Sequence, residues 1–468
     1  MPLGLLAGAF ALAWLLSAPL ITSPHLHTDE RGWLAAGLVY CGLIAEGDFT
    51  PSHWEQQGAL LSFGNLNPHL GKVMLTLPAY RLSKRMEIEY KPQEHLTSRD
   101  RMGIFSDTLP PPPAKLLRLA RRTAFFWACC TAGVMIAAAW WMAGRVAAVL
   151  FGYTILLNRF FLESASMAMT DFPYLFFLGL GMLCGIWLVR AATSRQRTLA
   201  VVLGFLAAGL ATSVKVTGLP ILGLYFTVLL LYLAGLHRVR LRGALGRLAL
   251  GSAVALLPIY GLNPFLWPEW SSVDFDAAAK EWEAINAGEI LYAKDEEFNT
   301  LWESLRQSDV NASAVRRACP NLANMLRPLE FPLLYPRWSH LFEALARQYP
   351  VNEPLEALYG SIFRHASSVF EVMFLFFGLH VAWMRVRRTR DKDSPLVAGV
   401  AYLAVQTLFL LMMLPVKGFE RYYLPAILIS RVFVALGVAE ALEYPRQLVV
   451  DLHGKHGQSS ASITPKAE

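Results

Sequence analysis

Residues 170–189 read Thr-Asp-Phe-Pro-Tyr-Leu-Phe-Phe-Leu-Gly-Leu-Gly-Met-Leu-Cys-Gly-Ile-Trp-Leu-Val, an apolar run that begins directly after one acidic residue. A membrane helix needs about 20 mostly apolar residues to cross the hydrocarbon core, and 172–189 comes close to that length. Pro173 falls in the first turn, where a helix tolerates proline because the missing N–H would have no partner there. The stretch predicts a transmembrane helix with Asp171 at its polar end.

Nine other stretches have the same apolar character. With 172–189 they make ten predicted spans, the others lying near 3–22, 123–143, 146–162, 198–213, 216–234, 248–266, 367–384, 396–414 and 422–442. The composition agrees, since 55% hydrophobic against 16% charged residues is typical of a chain whose solvent is largely a bilayer. The first run has no preceding Lys or Arg and no small-residue cleavage site, which favours an uncleaved span over a signal peptide. We therefore predict an all-α polytopic membrane protein.

The cations of the chain predict its orientation. Ten spans place both termini on one side, and the net charge of +7 is concentrated in loops that this count puts on that same side. The clusters are Arg145; Arg190, Arg195 and Arg197; Arg238, Arg240, Arg242 and Arg247; and Arg385, Arg387, Arg388, Arg390 and Lys392. Cytoplasmic loops carry such an excess of Lys and Arg. We expect a multi-pass protein of the inner (plasma) membrane with cytoplasmic termini, and no nucleic-acid partner.

The spans and loops divide the chain into four parts. A membrane region, 1–266, includes a first external loop at about 23–120, in which Trp33–Ala45 and 73–82 are predicted to be short interfacial helices. Residues 267–366 are predicted to form a small external lobe, and 367–443 to contain the last transmembrane helices. The remainder, 444–468, is predicted to be a cytoplasmic tail.

Ionisable residues near the span ends collect on the outer side of this topology. They are Asp29, Glu30, Lys72, Glu163, Asp171, Lys215 and Arg421. Charges close to the hydrocarbon are costly and usually functional. Carboxylates together with Lys and Arg suit a reaction that removes a proton from one group and stabilises an anion on another. The sequence thus indicates an external active site.

Several of these residues stand in stretches that resemble a known family. Asn67-Pro68-His69-Leu70-Gly71-Lys72 resembles the His-Pro-Pro-Leu-Gly-Lys element of the protein O-mannosyltransferases. Leu162-Glu163-Ser164 through Met169-Thr170-Asp171 resembles the second acidic element of that family and of the aminoarabinose transferases that modify lipid A. Gly209 to Gly218, with Ser213-Val214-Lys215, resembles the Ser-Val-Lys-Trp-x-Gly element of the mannosyltransferases. With Asp29-Glu30, four elements follow the expected order across 28–218.

The resemblance is to the polytopic GT-C glycosyltransferases, and it implies a GT-C-like helical bundle, a polyprenyl-phosphate-sugar donor and inversion at the anomeric carbon. The chain departs from the mannosyltransferase pattern at His69, where the family has a second proline, and at Val216, where it has tryptophan. No region resembles the soluble MIR domain of the eukaryotic members. The acceptor, whether lipid, glycan or protein, therefore stays open.

The resemblance also suggests roles for the ionisable residues. Asp29 would be the base for the acceptor hydroxyl, and Asp171 would bind sugar or acceptor hydroxyls. Glu30 would orient the acceptor or support Lys72, with a simple salt bridge as an equal alternative. The donor phosphate would be bound by Lys72, Lys215 and Arg421. The structural alternatives are helix caps for Asp29 and Asp171 and a snorkelling anchor for Lys72.

We expect no cofactor. A divalent metal could be held by Asp29 with nearby histidines, namely His25, His27, His53 and His69, but these have no fixed ligand spacing. The predicted cations already suffice to neutralise one phosphate, so a metal site is not favoured.

Two other functions remain as alternatives. An oligosaccharyltransferase or ligase would move a glycan from a diphosphate carrier, but the chain lacks a Trp-Trp-Asp motif, and Trp267-Pro268-Glu269-Trp270 is a poor substitute. A transporter or flippase of lipid-linked sugars would place its charges near the bilayer midplane and show related halves. Here the charges favour the outer boundary.

Overall fold

The computed structural model describes residues 2–23, 28–50, 68–90, 111–215, 217–264, 373–387, 394–413 and 424–459. Within these ranges the chain forms helices joined by turns, and it contains no strand. The all-α fold class is therefore confirmed. The predicted lobe at 267–366 lies outside the described residues, and the division into four parts stays a prediction.

The helices are numbered α1 to α13 within the described ranges. They are α1 Pro2–Thr22, α2 Thr28–Glu46, α3 His69–Met86, α4 Ala114–Ala143, α5 Arg145–Leu156, α6 Arg159–Ala165, α7 Asp171–Arg190, α8 Ser194–Thr212, α9 Gly218–Gly235, α10 Leu241–Gly261, α11 373–387, α12 Leu396–Met413 and α13 Leu424–Ser459.

Six helices of the described part are long and apolar enough to cross a membrane: α1, α4, α7, α9, α10 and the Leu424–Glu443 portion of α13. Two more apolar helices, Arg145–Leu156 and Leu396–Phe409, are shorter. A multi-pass membrane protein is therefore confirmed, while the number of ten spans stays a prediction. The predicted span 198–213 corresponds to α8, which begins four residues earlier at Ser194 and ends at Thr212.

The prediction of one continuous span at 146–162 is wrong. The chain leaves the helical path at Leu157 and Asn158, between α5 and α6. The Asn158 side chain accepts a hydrogen bond from the backbone N–H of Phe161 at 2.9 Å and so caps a new helix. Apolar composition alone did not reveal this cap, because Asn158 and Arg159 are flanked by apolar residues on both sides.

The two helices of the first external loop pack side by side, and both are longer than predicted. Gly37 of α2 faces α3 so closely that an added Cβ would clash with the Thr76 side chain and the Lys72 carbonyl. Leu34, Leu75 and Ala120 bury their side chains where this pair meets the start of α4. The helices at Trp33–Ala45 and 73–82 are therefore confirmed, and their position at the membrane interface stays a prediction.

α7 lies at the centre of the bundle and packs against α4 and α8. The Thr131 hydroxyl of α4 donates to the carbonyl oxygen of Phe172 at 3.1 Å, which fixes the first turn of α7. α7 has 20 residues, so it is about 30 Å long and reaches across a bilayer core. Asp171 at its start and Arg190 at its end therefore lie near opposite faces of the membrane that this helix would cross.

Candidate active site

Three of the sequence elements that resemble the mannosyltransferases meet at Gly71. A Cβ added at Gly71 would lie 2.6 Å from Val214 Cγ1 and 3.1 Å from Thr170 Cβ. The backbone N–H of Leu70 donates to the carbonyl oxygen of Ser213 at 3.1 Å. Gly71, Thr170 and Val214 each directly precede an ionisable residue. The fold thus brings together the backbone positions of Lys72, Asp171 and Lys215.

The turn that carries Lys215 is fixed to α10. The Ser213 hydroxyl lies 3.0 Å from the carbonyl oxygens of both Gly209 and Pro258, and it accepts from Asn263 Nδ2 at 3.3 Å. Ser213 is fully buried. Because Leu70 also binds this turn, the start of α3 docks on a rigid surface.

Lys72 lies in the first turn of α3 with no exposed surface. Its Nζ lies 5.4 Å from the ring centroid of Trp33 and 5.3 Å from that of Tyr40. Aromatic faces at this distance favour the ammonium form, but burial disfavours it more strongly. The net effect of burial is to lower the pKa of Lys72 to about 7. An anion that binds beside this buried lysine would stabilise its ammonium form.

His69 begins α3 and packs its ring against Tyr40, with the ring centroids 4.0 Å apart. Burial, followed by the charge of Lys72, lowers the pKa of His69 to about 2. The imidazole is therefore neutral at physiological pH. His69 adds shape and hydrogen-bonding capacity beside Lys72 without adding a charge.

Asp171 and Lys215 form an ion pair. Lys215 Nζ lies 2.5 Å from Asp171 Oδ1, and both side chains are about nine-tenths buried. Lys215 Nζ also lies 5.8 Å from the ring centroid of Tyr174, whose hydroxyl is 2.7 Å from the Thr217 hydroxyl. The sequence assigned separate roles to Asp171 and Lys215. The structure shows that they act on each other directly.

Glu30 forms a buried bidentate pair with Arg121 of α4. Arg121 Nε donates to Glu30 Oε1 at 2.8 Å, and Nη2 donates to Oε2 at 2.7 Å. The Ala168 N–H also donates to Oε1 at 2.7 Å, and Arg121 Nη1 donates to the Ser23 carbonyl at 2.7 Å. These contacts join α2, α4 and the turn before Asp171. They support the salt-bridge alternative for Glu30.

Sequence reasoning missed Arg121, because the second span was predicted to begin at residue 123. The signal was nonetheless present: Arg121 and Arg122 directly precede an apolar run. A cation at such a position usually pairs with an acidic residue. Arg121 is 3% exposed, whereas Arg122 is exposed.

Two further predicted site residues are less completely described. Asp29 stands in the first turn of α2, directly before Glu30, but its side chain lies outside the described part of the structure. Arg421 lies wholly outside the described residues. Their roles stay predictions.

Buried hydroxyl groups stand beside the charged residues. Thr170 Oγ1 and Ser166 Oγ have no hydrogen-bond partner among the described residues. Buried polar groups are nearly always hydrogen-bonded in native proteins. Thr170 directly precedes Asp171 in the chain, so one of these hydroxyl groups belongs to a neighbour of the buried carboxylate.

No group of three or more His, Cys, Asp or Glu side chains with the geometry of a metal site occurs among the described residues. His25, His27 and His53 lie outside them. The expectation that the protein works without a metal is not tested by this and stays a prediction.

A cleft of about 640 Å³ opens between the C-terminal halves of α2 and α3. Its walls include Leu38, Leu43, Tyr80, Lys84, Glu89 and Tyr90. Tyr80 follows Lys72 by two helical turns, which corresponds to about 12 Å along α3. The cleft is therefore close to Lys72, Asp171 and Lys215 but separate from them.

Some solved structures are similar to this chain at low identity. The crystal structure of ArnT from Cupriavidus metallidurans in the apo state is 15% identical over 99% of this chain and 66% of that one, with a TM-score of 0.46. The archaeal oligosaccharyltransferase AglB from Archaeoglobus fulgidus, in complex with an inhibitory peptide and a dolichol-phosphate, is 13% identical over 99% and 52%, with a TM-score of 0.39. The chain thus spans about half to two thirds of the length of these two proteins. No curated protein sequence matches it.

A family model described as dolichyl-phosphate-mannose-protein mannosyltransferase matches residues 112–268. The match covers about a third of the chain and includes Arg121, Asp171 and Lys215. It does not include Asp29, Glu30 or Lys72, which precede it. Over residues 112–268, the resemblance of this chain to the protein O-mannosyltransferases, and through them to the GT-C glycosyltransferases, is confirmed.

Proposed function

We propose that this protein is an integral-membrane, inverting glycosyltransferase that moves a hexose or pentose from a polyprenyl-phosphate donor to an acceptor on the outer face of the membrane. The observation that carries the proposal is the convergence at Gly71 of the backbone before Lys72, Asp171 and Lys215. These positions come from three distant segments of sequence. The matching family is named for a lipid-phosphate-linked sugar, which supports the donor class.

The reaction requires a base and a stabiliser of the leaving group. Asp29 takes the proton from the acceptor hydroxyl as that oxygen attacks the anomeric carbon. The bond between the anomeric carbon and the phosphate oxygen breaks, and the polyprenyl phosphate leaves with the bonding electrons. A single displacement of this kind inverts the anomeric configuration.

Lys72 is the leading cation for the departing phosphate. Its burial depresses its pKa to about 7, so an adjacent phosphate would restore the full ammonium charge. An ion aimed at developing charge in a water-poor site is a large source of rate enhancement.

Lys215 is a weaker candidate than Lys72 for stabilising the departing phosphate. Withdrawing it from Asp171 would leave a buried carboxylate without its counter-ion, and breaking such a pair costs about 3–5 kcal/mol. We therefore assign the Asp171–Lys215 pair, with the Thr170 hydroxyl, to binding sugar or acceptor hydroxyl groups. Arg421 remains a further candidate for the phosphate.

The cleft between α2 and α3 is the candidate place for the rest of the acceptor. It combines apolar walls with tyrosine rings and charged groups, a lining that suits a ligand with both apolar and polar parts. The acceptor is accordingly proposed as a lipid, glycan or protein that is larger than one sugar.

The test compares cells that carry the wild-type protein, no protein, Asp29→Asn, or the control Asp48→Asn. Asp48 follows the far end of α2, where it accepts from the Thr50 N–H at 3.0 Å. Mass spectrometry of envelope lipids and proteins should show a one-sugar mass difference with the wild type and Asp48→Asn only. Transfer by a correctly inserted Asp29→Asn protein would contradict the mechanism. Accumulation of a lipid-linked sugar on one leaflet, with no mass difference, would indicate transport.

A further inference from the structure

The turns at the opposite end of the bundle carry an unusual charge distribution. Five arginines are exposed where α7 ends, α8 begins and α9 connects to α10: Arg190, Arg195, Arg238, Arg240 and Arg242, hereafter the arginine surface. No Asp or Glu occurs in the sequence between Asp171 and Glu269. Even the capping box of α8 pairs Thr193 with Gln196, a neutral residue where glutamate would serve equally well. The only carboxylate in α7 to α10 is therefore that of Asp171, which lies at the other end of α7.

Two other arginines hold these turns together. Arg197 donates from Nε to the Ala191 carbonyl at 3.1 Å and from Nη1 to the Arg238 carbonyl at 2.9 Å. It thereby joins the α7–α8 turn to the α9–α10 turn. The arginine surface is consequently one fixed patch.

Arg247 fixes α10 to the same patch. Its Nε donates to the Thr198 hydroxyl at 3.1 Å and its Nη2 to the Ser194 hydroxyl at 2.7 Å. A repulsive cluster of cations is held in place by bonds to neutral groups. Such an arrangement raises the positive potential of the surface that an anion meets.

The border of the patch shows which kind of anion fits. Leu199 follows Arg195 on α8 and is 46% exposed. On α10, Leu241 lies between Arg240 and Arg242 and Leu245 lies just beyond them, and each is 57% exposed. Exposed leucines suit acyl chains, whereas a nucleic acid would need a polar surround. We propose that the arginine surface binds the anionic head groups of phospholipids in the adjacent bilayer leaflet. The positive charge of each arginine attracts lipids whose head groups carry a net negative charge.

The first test measures which lipids stay on the purified full-length protein. Wild type, Arg195→Gln/Arg240→Gln/Arg242→Gln and the matched control Arg195→Lys/Arg240→Lys/Arg242→Lys are extracted from an equal mixture of phosphatidylglycerol and phosphatidylcholine, and bound lipids are identified by native mass spectrometry. The wild type should retain phosphatidylglycerol preferentially. The glutamine variant should lose this preference by about tenfold or more, and the lysine variant should keep most of it. Equal preference in the wild type and the glutamine variant would overturn the proposal.

A second measurement needs no variant. In bilayers that contain the wild type, spin-labelled phosphatidylglycerol should be more immobilised than spin-labelled phosphatidylcholine, and the difference should shrink as salt rises. A difference that is absent or insensitive to salt would contradict the proposal. Loss of the difference on addition of soluble glycerol phosphate would assign the patch to a free phosphate compound instead of to the bilayer.

Discussion

Positive charge is buried at one end of helices α7 to α10 and exposed at the other. At one end Lys215 is buried against Asp171, with Lys72 enclosed nearby by aromatic rings. At the other end the five residues of the arginine surface are exposed in turns without carboxylates. The same helices connect both ends across about 30 Å.

Burial distinguishes charges that serve chemistry from charges that serve placement in the membrane. An exposed arginine keeps its hydration, so its position costs the fold little. A buried lysine or carboxylate loses hydration and must recover several kcal/mol from a partner or a ligand. Buried ionisable residues are thus the stronger candidates for function, and substitutions at the two ends should differ in their effects.

The largest contrast is expected for Lys72→Gln against Arg242→Gln. Loss of the cation facing the leaving phosphate should lower the transfer rate by about 10²–10³-fold. Arg242→Gln removes one exposed charge at the far end and should leave the rate near that of the wild type. Initial rates of polyprenyl phosphate release by purified protein, in a fixed lipid mixture, measure both. Similar losses in the two variants would remove the proposed distinction between the ends.

The ion pairs offer a second contrast, in stability. Glu30→Gln should destabilise the protein by about 3–5 kcal/mol, because it leaves Arg121 buried without its counter-charge. The control is Arg385→Gln, which breaks a pair with Glu440 whose side chains are 42% and 29% exposed and should cost only about 0–1 kcal/mol. Unfolding in mixed micelles checks both values. Equal costs would show that burial does not set the strength of these pairs.

The pH dependence of donor binding tests the state of Lys72. With its pKa lowered to about 7, Lys72 binds the donor phosphate only after taking up a proton at higher pH. Donor affinity should therefore fall by about tenfold per pH unit above pH 7. The phosphodiester of the donor does not titrate in this range, so equilibrium binding reports the lysine. Affinity that stays constant up to about pH 9, or an equal fall in Lys72→Gln, would contradict the assignment.

The lowered pKa of Lys72 also makes the free energy of unfolding depend on pH. The pKa of Lys72 in the folded protein lies below the ordinary lysine value of 10.5, so between about pH 7 and 10.5 the unfolded chain binds more protons. The contribution of Lys72 to stability is therefore fully present above about pH 10.5, and it is lost as the pH falls towards 7.

The smallest effect is expected from the close packing at Gly71. Gly71→Ala places a methyl group against Val214 and Thr170 and should cost about 1–3 kcal/mol. Gly133→Ala is the matched control, since an added Cβ in that helix meets nothing within 4 Å and alanine favours helix by about 1 kcal/mol. Thermal unfolding of the two variants should therefore shift in opposite directions. A shift of the same sign and size would show that Gly71 does not hold the three segments together.

Much of the helical framework could be predicted from the sequence. Apolar length is a local property, so 172–189 and 396–414 correspond closely to α7 and α12. The break at Asn158 depends on one side-chain hydrogen bond to Phe161 and leaves little trace in hydropathy. Hydropathy therefore identifies a helix more readily than it identifies the residue where a helix ends.

The site was only partly predictable, for a different reason. Lys72, Asp171 and Lys215 stood out because ionisable residues near apolar runs are costly. Their partners could not be read in the same way, since Arg121 lies 91 residues from Glu30 and Lys215 lies 44 from Asp171. Pairing over such separations is decided by helix packing. The sequence consequently indicated which residues carry charge, and the structure shows which of them neutralise each other.

The most direct test follows the donor itself. Purified wild type and Asp29→Asn are given a polyprenyl-phosphate-linked radioactive sugar with an envelope extract as acceptor, and both released polyprenyl phosphate and labelled product are measured. We expect the wild type to release polyprenyl phosphate and to label one acceptor in equal amounts, and Asp29→Asn to do so about 10²–10⁴-fold more slowly. Equal rates in the two proteins, or a wild type that leaves the donor intact while moving it across a bilayer, would contradict the proposed glycosyl transfer with Asp29 as the base.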